Sequence, residues 1–352
     1  MNILHLTPSY FPNQGGVETH VKKISEQLTR LGHQVSVLTA AEAQLPRTEV
    51  IDDVSIHRLQ VTTPDHFKFQ YKLDIWQQIL KQYQLFLQAD VIHVHDVMWW
   101  VLPLWIFIWP KLFITFHGWE GKYPVPRRNK LARWIWSKLA LRTIHVGKWI
   151  SEFYWDQPQQ VVYGGVDENI INSAKKPSLI NQTKASGKQK KMALVFIGRL
   201  ELENEIEHYL NLIKLLKHDF QVQVTWVGDG QYRQQCSRVG QVTGMVNDAE
   251  KYLKKADLVL ANSYLSMLTA QALGKIIISF YSHILKERYL ATYPGQKMIL
   301  LADSPIKMRQ KINQLFQDKA TKLQYEQAAQ EWAHRQSWLK VAQAYEQLWW
   351  SR

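Results

Sequence analysis

Two glycines and two histidine-bearing strand ends carry the first chemistry in this chain. Gly15-Gly16-Val17 stand where a short apolar run, Met1 to Thr7, gives way to residues at helical spacing. Their backbone N–H groups would be free at a helix N-terminus, where the dipole favours an anion such as phosphate. The other reading of a glycine pair at this place is a tight turn and nothing more. Further on, Val91-Ile92-His93-Val94-His95-Asp96 and Leu112-Phe113-Ile114-Thr115-Phe116-His117-Gly118 run from strand-like composition into polar and small residues. In a doubly wound sheet the ligand crevice lies at the carboxyl ends of the strands. Gly15, Gly16, His95, Asp96, His117 and Gly118 would meet there.

The elements that must position these groups follow from periodicity. Val17, Val21, Ile24, Leu28 and Leu31 form one stripe of a helix whose other face carries Glu18, Lys22, Lys23, Glu26 and Arg30. Gly32 supplies a left-handed C-cap, and Val35 to Thr39 begins a parallel strand reached by a right-handed crossover. Val54 to Leu59 reads as a strand, Leu73 to Gln88 as a helix, and the Trp-rich run from Val97 to Trp109 as a buried helix. Pro126 to Arg142 holds six cations and two tryptophans at helical spacing. That pattern suits a helix on an anionic membrane surface, or equally a surface helix with solvated cations.

Thr143 to Val146 is a further strand, Trp149 to Trp155 a short helix, and Val161 to Tyr163 a strand closing on Gly164-Gly165-Val166-Asp167. Asn172 to Lys191, rich in Lys, Ser, Asn and Gln, reads as a linker. Strand and helix then alternate again. Ala193 to Ile197, Val222 to Val227, Asp257 to Ala261 and Ile276 to Ser279 are strands. Ile206 to Leu216 and a segment around Leu268 to Leu273 are helices, and helical segments run from Ile306 to the end. The expectation is an α/β protein of two domains, residues 1–170 and 192–329 with a linker at 171–191.

Composition narrows the partners. Of 352 residues, 43 are Lys or Arg and 30 Asp or Glu, a net charge of +13, which points to nucleic acid, anionic headgroups or phosphorylated ligands. Nucleic acid ranks last, because the cations are spread among acids and no nucleic-acid-binding motif is present. The lone Cys236 forms no internal disulfide, builds no zinc site and reads as structural. The Val97–Trp109 run is broken by Pro103 and falls short of the roughly 20 residues that span a bilayer. With no secretory signal at the N-terminus, the expected place is the cytoplasm, at the membrane surface if the basic helix lies on lipid.

Seven short motifs in order resemble those of the GT-B glycosyltransferases of glycosyltransferase family four. They are Gly15-Gly16-Val17-Glu18, Val91 to His95, Phe116-His117-Gly118, Gly165-Val166-Asp167, Phe196-Ile197-Gly198-Arg199-Leu200, Val227-Gly228-Asp229-Gly230 and Ala256-Asp257-Leu258. The resemblance implies two Rossmann-like domains facing across a cleft, with a C-terminal helix, about residues 330–352, crossing back to the first. It implies a retaining transfer of a sugar from a nucleotide-sugar to an acceptor. The expected donor is UDP- or GDP-linked and, with the basic Trp-bearing helix, the expectation is an envelope glycan or lipid-linked acceptor. His117 would sit beside the transferred sugar, and Arg199 would meet charge on the leaving diphosphate. Gly15, Gly16, Gly198, Asn204, Gly228 and Thr269 take donor-binding positions. Arg127, Arg128, Lys130, Arg133, Trp134 and Trp136 face the acceptor or membrane. With no Asp-x-Asp motif, no metal and no cofactor are expected.

Three positions depart from the pattern. A lysine five residues after the Gly-Arg pair is replaced by Asn204. Of two glutamates expected eight apart, the second falls on Thr269 and the loop of the first is shortened, with no Glu between Lys255 and Lys286. Gly164 replaces an asparagine. All three fall on the donor side. The alternative to an active transferase is therefore a catalytically silent GT-B protein acting as a partner or membrane-binding subunit.

Overall fold

A computed structural model describes residues 1–40, 45–63, 66–121, 123–175, 177 and 190–351. The chain divides into two compact units, Met1–Val162 with Trp338–Arg352, and Tyr163–Ser337. Most of the expected linker lies outside the described residues, and its first residues end a helix, Glu168–Ser173.

The first unit is built on eight strands: β1 Asn2–Thr7, β2 Gln34–Ala40, β3 Thr48–Ile51, β4 Val54–Leu59, β5 Val91–His95, β6 Leu112–Phe116, β7 Arg142–Val146 and β8 Gln160–Val162. Their order is β3-β4-β2-β1-β5-β6-β7-β8. All pairs are parallel except β3 with β4. The central strands β5 and β6 are buried along their whole length, so even the histidines of β5 face protein and not water. Gly32, at φ +89°, ends the first helix, Gly16–Arg30.

The second unit carries β9 Lys191–Ile197, β10 Gln221–Val227, β11 Gln241–Gly244, β12 Leu258–Leu260, β13 Ile276–Phe280 and β14 Ile299–Ala302. They form an all-parallel sheet of order β11-β10-β9-β12-β13-β14. Phe196 of β9 packs 5.4 Å from Trp226 and 5.7 Å from Tyr209, whose hydroxyl donates to Ile278 O at 3.0 Å. Buried Cys236 joins this core, and burial pushes its thiol up to about 12, so it is unreactive.

Three sequence expectations change. The helix expected over Leu73 to Gln88 is two, Lys68–Lys81 and Tyr83–Gln88, with a turn at Gln82. The Trp-rich run is not a buried helix. It is a 3₁₀ stretch Met98–Leu104, a single helical turn Trp105–Ile108 and a 3₁₀ turn Trp109–Lys111, with Leu102, Ile106, Phe107 and Trp109 exposed. Pro103 lies within the stretch and denies it continuous helical hydrogen bonding. The C-terminal segment is also two helices, Lys319–His334 in the second unit and Trp338–Trp350 in the first. The break is fixed where Ser337 bridges to Val166, whose N–H donates to Gln336 O at 2.6 Å.

The helix Trp338–Trp350 closes over imidazoles. His5, His20, His93, His95 and Tyr345 are fully or almost fully buried, with Trp338, Tyr345 and Trp349 of this helix packed against the rings. The Trp349 indole donates to His93 Nδ1 at 3.1 Å. Indole N–H can only donate, so the His93 proton must sit on Nε2, which meets Thr115 Oγ1 at 2.7 Å. Thr115 Oγ1 lies 2.9 Å from the Tyr345 hydroxyl, and that hydroxyl 3.0 Å from His20 Nε2. One indole thus sets a single direction through five side chains. A second line runs from His5 Nδ1 to His95 Nε2 at 3.0 Å and from His95 Nδ1 to His117 Nε2 at 2.9 Å. Burial holds all five rings neutral: His5 and His117 fall to about 3, and His20, His93 and His95 lie well below the usual value.

In the second unit, Gly228 lets two strand exits interlock. Its N–H donates to Gly244 O at 3.0 Å and Gly198 N–H to Val227 O at 3.1 Å. Gly228 has φ +145°, and a Cβ there would lie 1.9 Å from Gly198 O. Only glycine fits.

Two outcomes follow from these packing facts. Unfolded histidines take up protons near 6.5 while the buried ones do not, so the first unit should hold full stability above about pH 6.5. It should lose stability as pH falls, by about 1.4 kcal/mol per pH unit for each histidine involved. Asp96, raised to about 6 by burial, works in the opposite direction but is one group against five. Urea midpoints between pH 7.5 and 4.5 measure the slope, and a flat profile contradicts neutral burial. Gly228→Ala should cost the second unit about 3 kcal/mol or more, read as a lower melting transition by calorimetry.

Candidate functional site

In the first unit the exits of β1, β5 and β6 carry the chemistry. Gly15 precedes the helix in extended conformation, and Gly16 begins it. Among the described residues, no backbone acceptor is found for the N–H groups of Gly15, Gly16 and Val17. A Cβ on Gly15 would meet the Glu18 carboxylate at 2.3 Å, so that carboxylate folds back over the helix start. An anion arriving there must displace it.

His117 leaves β6 with its backbone N–H on Asp96 Oδ1 at 3.1 Å. At the far end of its imidazole line, His5 Nε2 has no partner. A bare lone pair is tolerated there better than an orphaned N–H. The protons then sit on Nδ1 of His5 and His95, and His117 accepts at Nε2, leaving its Nδ1–H as the outward donor. His117 is thus a neutral hydrogen-bond donor at the strand edge, not a cation.

Arg133 was expected among the exposed acceptor- or membrane-side cations, and the structure corrects this. Its guanidinium is buried between the rings of Tyr154 and Phe116, 3.8 and 4.7 Å from their centroids. It donates to Gly118 O at 2.8 Å and Glu120 Oε1 at 3.0 Å. Stacking and an acidic partner hold it inward. Tyr154 donates to Glu120 Oε2 at 2.5 Å. Burial lifts the Asp96 carboxyl to about 6, with Arg133 pulling the other way. The remaining members of that group also lie on the helix Arg127–Leu139. Arg127, Arg128 and Trp134 are exposed, and Lys130 and Trp136 half-buried.

In the second unit Gly198, Arg199 and Asn204 share the loop after β9, and Gly228 braces it from β10. Arg199 pairs with Glu203 and keeps its side chain 65% exposed. Asn204 donates from Nδ2 to Arg199 O at 2.9 Å, so it shapes the loop. Glu205 follows in a left-handed conformation, φ +60°. Its buried carboxylate accepts from Ser282 N at 3.0 Å and Ser282 Oγ at 2.7 Å, and lies 3.0 Å from His208. Burial would raise its pKa, yet these bonds hold it below the usual range.

Thr269 lies half-buried within the helix Tyr264–Ala272, which follows β12. The place where a glutamate loop was expected holds tyrosines. Tyr264 stacks on Tyr289 at 4.1 Å, and its N–H donates to the Tyr289 hydroxyl at 3.0 Å. Lys286 reaches this corner from the helix Ile284–Ala291, donating to Asn262 O at 2.9 Å. Tyr154 and Lys286 escaped sequence reading because each sits far along the chain from the motif it approaches, and Glu120 and Glu205 because their partners, Arg133 with Tyr154 and Ser282, are brought to them by packing. Among the described residues, no group of three or more His, Cys, Asp or Glu is placed to hold a metal ion.

Comparison with known proteins matches both units. Residues 14–169 fit the model of Glycosyltransferase Family 4, and residues 191–318 that of Glycosyl transferases group 1. An uncharacterized glycosyltransferase of Methanocaldococcus jannaschii is 33% identical over 101 residues, 28% of this chain and 25% of that protein. The match thus spans about a quarter of the length of that curated relative. Among solved structures, sucrose-phosphate synthase of Thermosynechococcus elongatus aligns over 100% of both chains with TM-score 0.76 at 14% identity. The Anabaena protein HepE in complex with UDP and glucose aligns over 100% of both chains with TM-score 0.69 at 15% identity. Two parallel-sheet α/β units, the order of their strand-end motifs and both family models agree, and the chain belongs to the family-four, group-1 glycosyltransferases of GT-B fold.

Proposed function

We propose that this protein transfers a sugar, with retention, from a UDP- or GDP-linked donor to an envelope glycan or lipid-linked acceptor, without a metal ion. The observation that carries the reading is the loop after β9, where Arg199 stands exposed on a turn braced by Asn204, Gly198 and Gly228. The Anabaena structure of like fold was solved with UDP and glucose, which supports a nucleotide-diphosphate donor. In this reading the acceptor oxygen bonds to the anomeric carbon as the bond to the diphosphate breaks. The acceptor proton leaves on the departing phosphate. Charge growing on that phosphate is met by Arg199 released from Glu203, and by backbone amides. His117, a neutral donor, hydrogen-bonds the sugar.

The missing donor-site glutamates and the Tyr264–Tyr289 stack in their place favour a second reading, a silent GT-B protein. Nucleotide binding separates the two.

The same protein is proposed to work at an anionic membrane surface. Of 24 exposed large hydrophobic side chains among the described residues, fifteen lie between Phe67 and Leu141 and only four in the second unit. Leu80, Tyr83, Leu87, Leu104 and Phe107 line an apolar notch of about 370 Å³. Trp105 ties that face to the basic helix by donating to Leu139 O at 3.0 Å. Between His66 and Arg142 there are eleven Lys and Arg against four Asp and Glu. Apolar side chains rimmed by cations match the chemistry of an anionic bilayer interface. Among the described residues, no helix is long and apolar enough to cross a membrane.

Calorimetric titration with UDP, GDP and their sugars should show binding that Arg199→Ala weakens at least tenfold. Binding of neither nucleotide by the wild-type chain selects the silent reading. Sedimentation with anionic liposomes at low salt should capture the protein, and Ile106→Glu with Phe107→Glu should cut capture several-fold. Capture that ignores both the charge of the lipid and these substitutions contradicts the membrane face.

A further inference from the structure

The sequence leaves a gap in the donor loop. The lysine expected five residues after the Gly-Arg pair is Asn204, whose amide is spent on Arg199 O. An exposed Arg199 already paired with Glu203 is a thin provision for two phosphates carrying two or more negative charges. A second cation stands at the same edge of the sheet, from an element 82 residues further along.

Lys286 lies in the first turn of the helix after β13. β9, β12 and β13 are adjacent in the sheet, so their exits, carrying Arg199, Asn262 and the Lys286 turn, are neighbours. Glu205 fixes that arrangement by accepting from both the N–H and the hydroxyl of Ser282, which ties the exit of β13 to the loop that bears Arg199. The ammonium of Lys286 donates to Asn262 O at 2.9 Å and lies 4.7 Å from the Tyr289 ring centre. Among the described residues, no carboxylate lies within ion-pair distance of it and no second acceptor is found for its three hydrogens. Burial and the charge of Arg199 lower it to about 8 even though Glu205 and Glu203 oppose them. A desolvated ammonium without an ion pair is costly unless an anion completes it.

We propose that Lys286 supplies the second cation for the donor pyrophosphate, in place of the lysine lost at position 204. This rests on the nucleotide-diphosphate reading above. Arg199 and Lys286 then hold the pyrophosphate from the exits of two strands. Asn204, freed from carrying charge, keeps the Arg199 loop in shape. The nucleoside is held elsewhere, so the two parts of the ligand respond separately to substitution.

The test is calorimetry on the full chain with UDP, GDP, uridine, guanosine and inorganic pyrophosphate. Variants are Lys286→Met, Lys286→Arg and the double Lys286→Met, Asn204→Lys, each checked for an unchanged melting profile. Lys286→Met should weaken nucleoside diphosphate and pyrophosphate by tenfold to on the order of a hundredfold and leave the nucleosides unchanged. Lys286→Arg should stay within a few-fold of wild type, and Asn204→Lys should restore most of what Lys286→Met loses. If wild type binds the diphosphates and Lys286→Met binds them equally, Lys286 has no such role while the nucleotide reading stands. A loss that Asn204→Lys and Lys286→Arg both fail to repair makes Lys286 a structural prop and also overturns the proposal. Binding of neither nucleotide by wild type removes the donor reading and this assignment with it.

Discussion

Five imidazoles can lie under one helix only if each stays neutral and each proton has a defined place. The indole of Trp349 meets that condition for one line of side chains, because a group that can only donate forces every partner after it to accept on one side and donate on the other. The first unit depends on this order. Its central strands present His5, His93 and His95 where most such sheets present aliphatic side chains, and an apolar helix could not cover them without orphaning polar atoms. Trp349 and Thr115 supply the partners of His93, Tyr345 those of Thr115 and His20, while His5, His95 and His117 pair among themselves. A second line, His5 to His95 to His117, brings His117 to the end of its strand as a neutral donor, so the strand-end chemistry is anchored in the buried imidazoles of the same sheet.

The fold was legible where burial is symmetric and illegible where it is not. β5, β6 and β13 are enclosed on both faces and declare themselves by dense β-branched and aromatic residues, with histidines interrupting only β5. β3, an antiparallel edge strand with Glu49 and exposed Val50, and the polar β11 carry no such mark. The Trp-rich run misled for a related reason. Its composition is that of a core, but hydrophobicity states only a preference for leaving water and does not say which partner receives it. Ile106 and Phe107 stay mostly exposed.

The candidate sites divide in the same way. Groups placed directly on strand exits, Gly15, His117, Gly198 and Arg199, were found from sequence because the exit of a parallel strand is a position along the chain. Groups brought in by packing were not. Arg133 looked like one more cation on a basic helix, since periodicity assigns a face but not the aromatic pair and the carboxylate that turn it inward. Lys286 meets the Arg199 loop, and Glu205 of that loop meets Ser282, only because the sheet sets β9, β12 and β13 side by side in an order the chain does not follow. A motif search measures distance along the chain, and such a site is built across it.

The placement of the helix Trp338–Trp350 in the first unit bears on how the protein is made. Strands β1 to β8 leave the ribosome early, yet the side chains that satisfy their histidines are translated only after the whole second unit. Until then the first sheet exposes imidazoles and an apolar face with no cover, a state open to aggregation and to chaperones. The second unit, contiguous from Tyr163 to Ser337, has all its parts before the first has its last. The order of folding should therefore run against the order of synthesis, and a single cut in the chain cannot release the first unit whole.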